Sequence, residues 1–219
     1  MYLSRLELRT EATANRRFWA DLEDLYGAHQ AIWQLFSDGA ARKRDFLFRK
    51  EGEGAGARWL TLSAREPRDG RGFWKVECKP FSPRLAVGDR LRFLVRVNPT
   101  VAKSREGRSS ARHDVVMNEK RRLPAGAGER PEPAIVHSAC GAWLQARSER
   151  HGFALDTAEL AVDGYRQLGG RRPGDLRVSV VDLDGVLTVQ DPERFTTMLF
   201  QGLGPAKSFG CGLMLVRRA

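Results

Sequence analysis

Short stretches in which apolar and polar residues alternate recur along the chain, and they constrain its fold more than any other feature. The alternation opens the chain at Tyr2–Leu8 and is clearest in Arg90–Asn98. A period of two is typical of a strand that buries one face. Further strands are predicted at Asp45–Lys50, Arg58–Ala64, Phe73–Lys79, Phe153–Tyr165, Leu176–Gln190 and Leu213–Arg217.

Helices are predicted between these strands. The first is expected to run from Asn15 or Asp21 to Phe36, with Asp21 as its N-cap if it begins there. Its apolar stripe recurs at steps of three and four residues and comprises Phe18, Leu22, Leu25, His29, Ile32 and Phe36. A second helix is predicted over Ala134–His151, and a third begins after an Asp191 cap and ends at Gln201. Between the later strands we expect Asp184-Gly185 to form a tight hairpin turn.

This order of elements predicts an α+β protein with tandem ferredoxin-like (RRM-like) domains and antiparallel sheets. The first domain is expected over residues 1–98, where Asn98-Pro99 ends a strand. Residues 99–133 are basic and then rich in Gly and Pro, which indicates a linker or mobile loop. The second domain is expected over residues 134–219 and carries a Gly-rich loop.

The charge of the chain indicates a polyanionic partner. Its 219 residues carry 37 Lys and Arg against 27 Asp and Glu, a net charge of +10. Most of the basic residues are Arg, which grips phosphate in bidentate fashion and stacks on bases. Nucleic acid is therefore favoured, and a membrane is not, since neither an apolar run long enough to span a bilayer nor a signal-peptide core is found. We expect a soluble, cytoplasmic protein, although Arg in merely solvated positions would explain part of the composition.

The densest basic segment lies in the expected linker. It contains Lys103, Arg105, Arg108 and Arg112, followed by Lys120–Arg122. Such clustering favours contact with phosphates, whereas a short solvated loop is the alternative. A smaller group, Arg166, Arg171 and Arg172, flanks Gly169-Gly170 in a turn between two strands.

No cofactor or metal is predicted. Cys78, Cys140 and Cys211 are more than sixty residues apart, and no Cys or His pair has the spacing of metal ligands. Asp182 and Asp184 resemble a metal-binding D-x-D, but we assign them to the expected hairpin turn.

The run Gly202-Leu-Gly-Pro-Ala-Lys207-Ser208-Phe-Gly-Cys-Gly212 lies between a predicted helix and the last strand. Its glycines would let backbone N–H groups approach a phosphate, and Lys207 adds a positive charge. A helix C-cap followed by a tight turn would explain it equally well. A nucleotide-binding enzyme is disfavoured, because no strand precedes the glycines as a dinucleotide or P-loop motif requires.

Tyr26 and His29 form the strongest pair of candidate catalytic residues. They are three positions apart, so they share one face of a helix. Histidine exchanges protons near neutral pH, and a tyrosine hydroxyl can assist a reacting group. His29 also lies in the apolar stripe, where a buried histidine with a structural hydrogen bond is the alternative.

Several of these motifs occur together in one known family. Met1-Tyr-Leu-Ser, Leu25-Tyr-x-x-His29-Gln, Arg44-Asp-Phe-Leu-Phe48, Arg96-Val-Asn-Pro99 and the run from Gly202 to Gly212 follow in order. In this combination the chain resembles CasE, the endoribonuclease that matures guide RNA in the type I-E CRISPR Cascade complex.

The resemblance implies metal-independent cleavage of CRISPR repeat RNA at the 3′ base of its hairpin. It implies products with a 2′,3′-cyclic phosphate and a 5′-hydroxyl, and retention of the RNA as a Cascade subunit beside other subunits. The family's catalytic Tyr and His fall on Tyr26 and His29, and its RNA-contacting residues fall near Arg166–Arg172. A non-catalytic subunit that binds hairpin RNA is the alternative function.

Overall fold

The computed structural model describes residues 1–23, 25–36, 44–105, 108–122, 131–169 and 177–219. The strands are β1 (Tyr2–Leu8), β2 (Phe46–Glu51), β3 (Arg58–Ser63), β4 (Trp74–Pro80), β5 (Arg90–Val97), β6 (Thr100–Arg105), β7 (Arg108–Asp114), β8 (Phe153–Gly169), β9 (Arg177–Val189) and β10 (Met214–Arg218). The α-helices are α1 (Thr10–Thr13), α2 (Arg16–Glu23), α3 (Leu25–Trp33), α4 (Val115–Lys120), α5 (Pro133–Ser148) and α6 (Pro192–Gln201). Short 3₁₀ turns cover Gly54–Gly56, Glu149–His151 and Lys207–Phe209.

The strands pair into two 4-stranded antiparallel sheets, with the orders β2-β3-β1-β4 and β10-β5-β9-β8. Strands β6 and β7 form a separate antiparallel hairpin. The predicted α+β class with tandem ferredoxin-like units is confirmed. No helix in the described part of the chain is long and apolar enough to cross a membrane.

Helices cover one face of each sheet. In the first sheet, Ile32 of the α3 helix packs with Trp59 and Trp74, whose rings meet edge to face at 5.2 Å. In the second, α5 and α6 bury Leu144 and Phe195 against the strands. The face that each helix buries against its sheet is thus the one that carries its apolar residues.

Strand β2 is buried on both faces, which joins the two units. Phe46 and Phe48 face the helices of the first unit. Leu47 packs with Leu62 and with Leu213 of the second unit. Arg49, on the same face as Leu47, reaches Asp182 of β9 with Nη1 3.1 Å from Oδ1.

Four sequence predictions need correction. Asp21 is not an N-cap: α2 begins at Arg16, and Asn15 Oδ1 accepts the N–H of Phe18 at 3.1 Å. Arg90–Val97, predicted to close the first unit, pairs instead with β9 and β10, so the change of sheet falls between β4 and β5. How the chain divides into domains stays a prediction.

The other two corrections concern loops. Within the segment predicted as a linker, the described residues 100–105 and 108–120 form the β6–β7 hairpin and α4, and Asp114 caps α4 through the N–H groups of Val116 and Met117. Asp184-Gly185 lies inside β9 rather than in a turn, and pairs with Leu94 and Phe93 of β5.

Candidate active site

His29 lies on α3 with its ring among aromatic side chains. The imidazole stacks with Phe46 and Phe48 at centroid distances of 6.2 Å each, and it lies 5.9 Å from the Trp33 ring. The residue is only half-buried, yet its Nδ1 is shielded from solvent and has no hydrogen-bond partner among the described residues. Nδ1 thus makes no structural hydrogen bond to a described residue, in contrast to the expectation for a core histidine.

The structure describes the backbone of Tyr26 but not its side chain. Its backbone belongs to α3, close to one helical turn before His29. Its side chain lies outside the described part of the structure, so its role stays a prediction.

The Gly202–Gly212 run folds into a loop whose two ends are hydrogen-bonded to each other. Its ends meet through the bond from Leu203 N to Gly212 O at 2.9 Å, and Gly212 N donates to Arg96 O at 2.7 Å. Gly202 has a φ of +79°, and a Cβ there would lie 2.8 Å from Leu47. The glycines thus allow the loop to pack tightly against β2 and β5, as expected for a C-cap and turn.

This loop carries the Lys207–Phe209 turn to α3 and β2 of the first unit. There the Arg44 guanidinium, just before β2, donates from Nη1 to Ser208 Oγ at 2.7 Å. A turn near the C-terminus of the chain therefore contacts α3, the helix that carries His29.

The basic groups at this junction perturb one another. The pKa of His29 lies below its ordinary value, first because of burial and second because of the positive charge of Arg44. The pKa of Lys207 is lowered by the same two causes in the same order. At neutral pH the imidazole is therefore neutral and able to accept a proton.

A groove of about 1510 Å³ adjoins this junction. Ser208 lines it, and its cationic lining residues are Arg44, Arg112, Arg147, Arg150, Arg177, Arg194 and Lys207. Among the described lining residues the carboxylates are those of Asp114 and Glu193. The volume exceeds that of ordinary small-molecule pockets, and the excess positive charge suits a polyanion. His29 does not line the groove itself.

A second histidine lies in this groove. His151, in the turn after α5, has its Nε2 atom 3.3 Å from Nη2 of Arg150. Burial lowers its pKa first, followed by the charges of Arg150, Arg147 and Lys207.

Only some of the predicted RNA-binding residues line the groove. Arg112, Lys207 and Ser208 line the groove, whereas Arg166 lies outside its lining and donates to Gly164 O at 3.0 Å. The backbones of Lys103, Arg105 and Arg108 belong to the β6–β7 hairpin, but their side chains lie outside the described part. Arg171 and Arg172 lie outside the described residues altogether.

Sequence reasoning missed several groove residues. Arg147, Arg150 and His151 could have been found, because they form a short basic run at the end of a predicted helix. Arg177 and Arg194 stand singly in the sequence and gave no signal. Among the described side chains, no group of three or more His, Cys, Asp and Glu is arranged to hold a metal ion.

Comparison with known proteins places this geometry in context. The family model described as "CRISPR associated protein" matches residues 1–218. The chain is 30% identical over 217 residues to the CRISPR system Cascade subunit CasE of Escherichia coli K12, covering 98% of each. It is 28% identical over 234 residues to the CRISPR-associated endoribonuclease Cse3 of Thermus thermophilus, covering 99% of each.

A solved structure of the Thermus thermophilus Cse3, bound to an RNA that represents a pre-cleavage complex, superimposes with a TM-score of 0.75 at 30% identity. The match covers 99% of this chain and 98% of that one.

Proposed function

The chain belongs to the family of CRISPR-associated proteins, and from this premise we propose that it is an endoribonuclease that cleaves CRISPR precursor RNA. Cleavage takes place at the 3′ base of the repeat hairpin. The mature guide RNA stays bound, and the protein serves as a subunit of a Cascade complex. Two relatives support this assignment: one is named a Cascade subunit and the other an endoribonuclease.

The reaction uses the nucleophile that RNA carries. The neutral imidazole of His29 accepts the proton of a 2′-hydroxyl, whose oxygen then bonds to the adjacent phosphorus. The bond from phosphorus to the 5′-oxygen breaks, and that oxygen takes up a proton, which gives a 2′,3′-cyclic phosphate and a 5′-hydroxyl. Tyr26 assists at the reacting groups, and the reaction requires no metal ion.

The groove holds the hairpin next to this site. A-form RNA is recognised mainly by its shape and its phosphates, which suits a wide surface lined by Arg. Arg112, Arg147 and Arg150 lie on that surface, and Lys207 and Ser208 lie where it adjoins the α3 helix. Lys103, Arg105 and Arg108 extend the interface along the β6–β7 hairpin. Arg166 of β8 contacts RNA as well, together with Arg171 and Arg172, which follow β8 in the sequence.

The observation that carries the proposal is the half-buried imidazole of His29 on α3, a helix that the Lys207–Phe209 turn of the basic groove contacts. Incubation of the purified protein with its own repeat RNA in excess EDTA tests it. We expect cleavage by the unmodified protein and a loss of about 10²-fold or more in His29→Ala, the range of general-base catalysis. RNA binding should be nearly unchanged.

His137→Ala is the matched control. This exposed histidine on α5 contacts Leu160 O at 3.0 Å and lies outside the groove lining. Uncut RNA with the unmodified protein, or full activity in His29→Ala, would favour a hairpin-binding subunit without catalysis.

A further inference from the structure

The positive charge of Arg44 has no partner carboxylate among the described residues. Its side chain is half-buried, and burial lowers its pKa. Its described hydrogen-bond partner is the neutral hydroxyl of Ser208. No carboxylate among the described residues lies within ion-pair distance of it.

Three other shielded arginines in the described part of the chain are paired with carboxylates. Arg49 and Arg96 share the carboxylate of Asp182, and Arg65 makes two hydrogen bonds to Asp45 at 3.0 and 3.2 Å. A partly desolvated charge is costly unless a counter-charge accompanies it. Arg44 and Arg147, which have no carboxylate partner among the described residues, both line the groove; Arg147 donates to the backbone carbonyls of Trp143 and Thr100, whereas Arg44 has only the hydroxyl of Ser208.

The basic neighbours of Arg44 make its lack of a counter-charge more unfavourable. Its charge acts unfavourably on Lys207 and on the protonated form of His29. An anion at this point would relieve each of these repulsions. In RNA that anion is a phosphodiester.

The contact with Ser208 also fixes the orientation of the guanidinium. One nitrogen, Nη1, is held by the hydroxyl, and the remaining N–H groups stay available to the groove. A planar guanidinium held in this way can bind two oxygens of one phosphate. A lysine at this position would offer only a point charge.

We infer that Arg44 is a further catalytic residue, whose guanidinium binds the non-bridging oxygens of the phosphate that His29 acts on. Ser208 is its positioning residue. When the 2′-oxygen attacks, negative charge builds up on those oxygens, and a preorganised cation stabilises it. This inference rests on the proposed endoribonuclease function.

Single-turnover cleavage at saturating protein tests the role of Arg44. We expect the rate of Arg44→Met to fall by about 10²-fold or more, as for other lost oxyanion contacts. Arg44→Lys keeps the charge but loses the fork, so it should recover only part of the rate. The Kd for RNA with a 2′-deoxy scissile nucleotide should change far less than the rate.

Arg58→Met is the matched control. Arg58 lies on the first sheet outside the groove, is paired with Glu51 at 3.0 Å, and should leave the rate unchanged. A second measurement replaces one non-bridging oxygen of the scissile phosphate with sulfur. Its effect on the cleavage rate would not depend on Arg44 if the role of Arg44 were purely structural. Cleavage by the unmodified protein should slow for one phosphorothioate diastereomer, and the slowing should shrink in Arg44→Lys.

The outcomes separate the two proposals. If the unmodified protein does not cut RNA, the endoribonuclease function is wrong. If it cuts, and Arg44→Met and Arg44→Lys both cut at its rate with the same sulfur effect, the function stands and the role of Arg44 is refuted. Should Arg44→Met fail to fold, Arg44→Lys alone decides.

Discussion

Asp182 offers a direct test of how the two units are joined. Its carboxylate meets Arg96 through Nη2–Oδ2 at 2.7 Å and Nε–Oδ1 at 3.1 Å, and it meets Arg49 through Nη1–Oδ1 at 3.1 Å. Asp182→Asn keeps the shape but removes the charge. The new amide NH₂ then faces guanidinium N–H groups, so at least one donor loses its acceptor.

The expected cost follows from burial. The Arg49 side chain is only 7% exposed and that of Arg96 17%, so neither cation can recover its hydration. Removing one partner of a buried ion pair costs about 3–5 kcal/mol of unfolding free energy. Asp182 is 21% exposed and Asn retains one acceptor, so we expect about 3 kcal/mol, the low end of that range. At this chain length such a loss lowers Tm by about 6–12 °C.

Thermal and urea unfolding followed by circular dichroism measure this loss. Glu119→Gln is the matched control, because it breaks an ion pair with Arg122 whose side chains are 42% and 68% exposed. Exposed pairs contribute about 0.5 kcal/mol. If Asp182→Asn unfolds no earlier than Glu119→Gln, the junction does not depend on this carboxylate and the reasoning is refuted.

Three further predictions concern titration and backbone conformation. Because burial and Arg44 lower the pKa of His29, the acid limb of the single-turnover cleavage rate at subsaturating protein should lie below pH 6.5; a limb above pH 7 would contradict this. Bound phosphates should raise the lowered pKa of His151, so in a His29→Ala background Kd should tighten as pH falls, and less so after His151→Gln. Gly202→Ala should lose about 2 kcal/mol in urea unfolding, because its φ is positive, whereas Gly70→Ala, with open space around it, should be neutral.

The sequence predicted most helices and strands, because the interactions that start and stabilise them involve residues close together in the chain. Asp191 caps α6 as expected: its Oδ1 accepts the N–H groups of Glu193 and Arg194 at 3.1 and 3.0 Å. The apolar stripe predicted the buried positions of Phe18 and Ile32. Capping and periodicity act within a few residues, so one sequence suffices to recognise them.

Predictions failed where a distant partner decides the outcome. Asp184-Gly185 has the composition of a turn, but β9 lies between β5 and β8, and both neighbours extend it. Gly185 is needed for packing, since a Cβ there would lie 3.2 Å from the Phe93 ring. The alternation in Arg90–Val97 indicates a buried face, yet it does not say which sheet the strand joins.

The candidate site was predictable only in part for the same reason. His29 was recognisable as a residue type near a tyrosine, and Lys207 as a charge among glycines. The bond from Arg44 to Ser208 spans 164 positions, and no local pattern encodes it. Because Ser208 comes from the far end of the chain, only the folded structure shows that Arg44 is held by a neutral hydroxyl and by no carboxylate of the described residues.

The two units contribute different parts of the candidate site. Several cationic residues of the groove, such as Arg147, Arg150 and Arg194, belong to the second unit, whereas His29 belongs to the first. A loosened junction should therefore move the imidazole relative to bound RNA while leaving the groove intact. Below its Tm, Asp182→Asn should then lower the single-turnover cleavage rate by a larger factor than it raises Kd. An equal effect on both would mean that the groove itself depends on the junction.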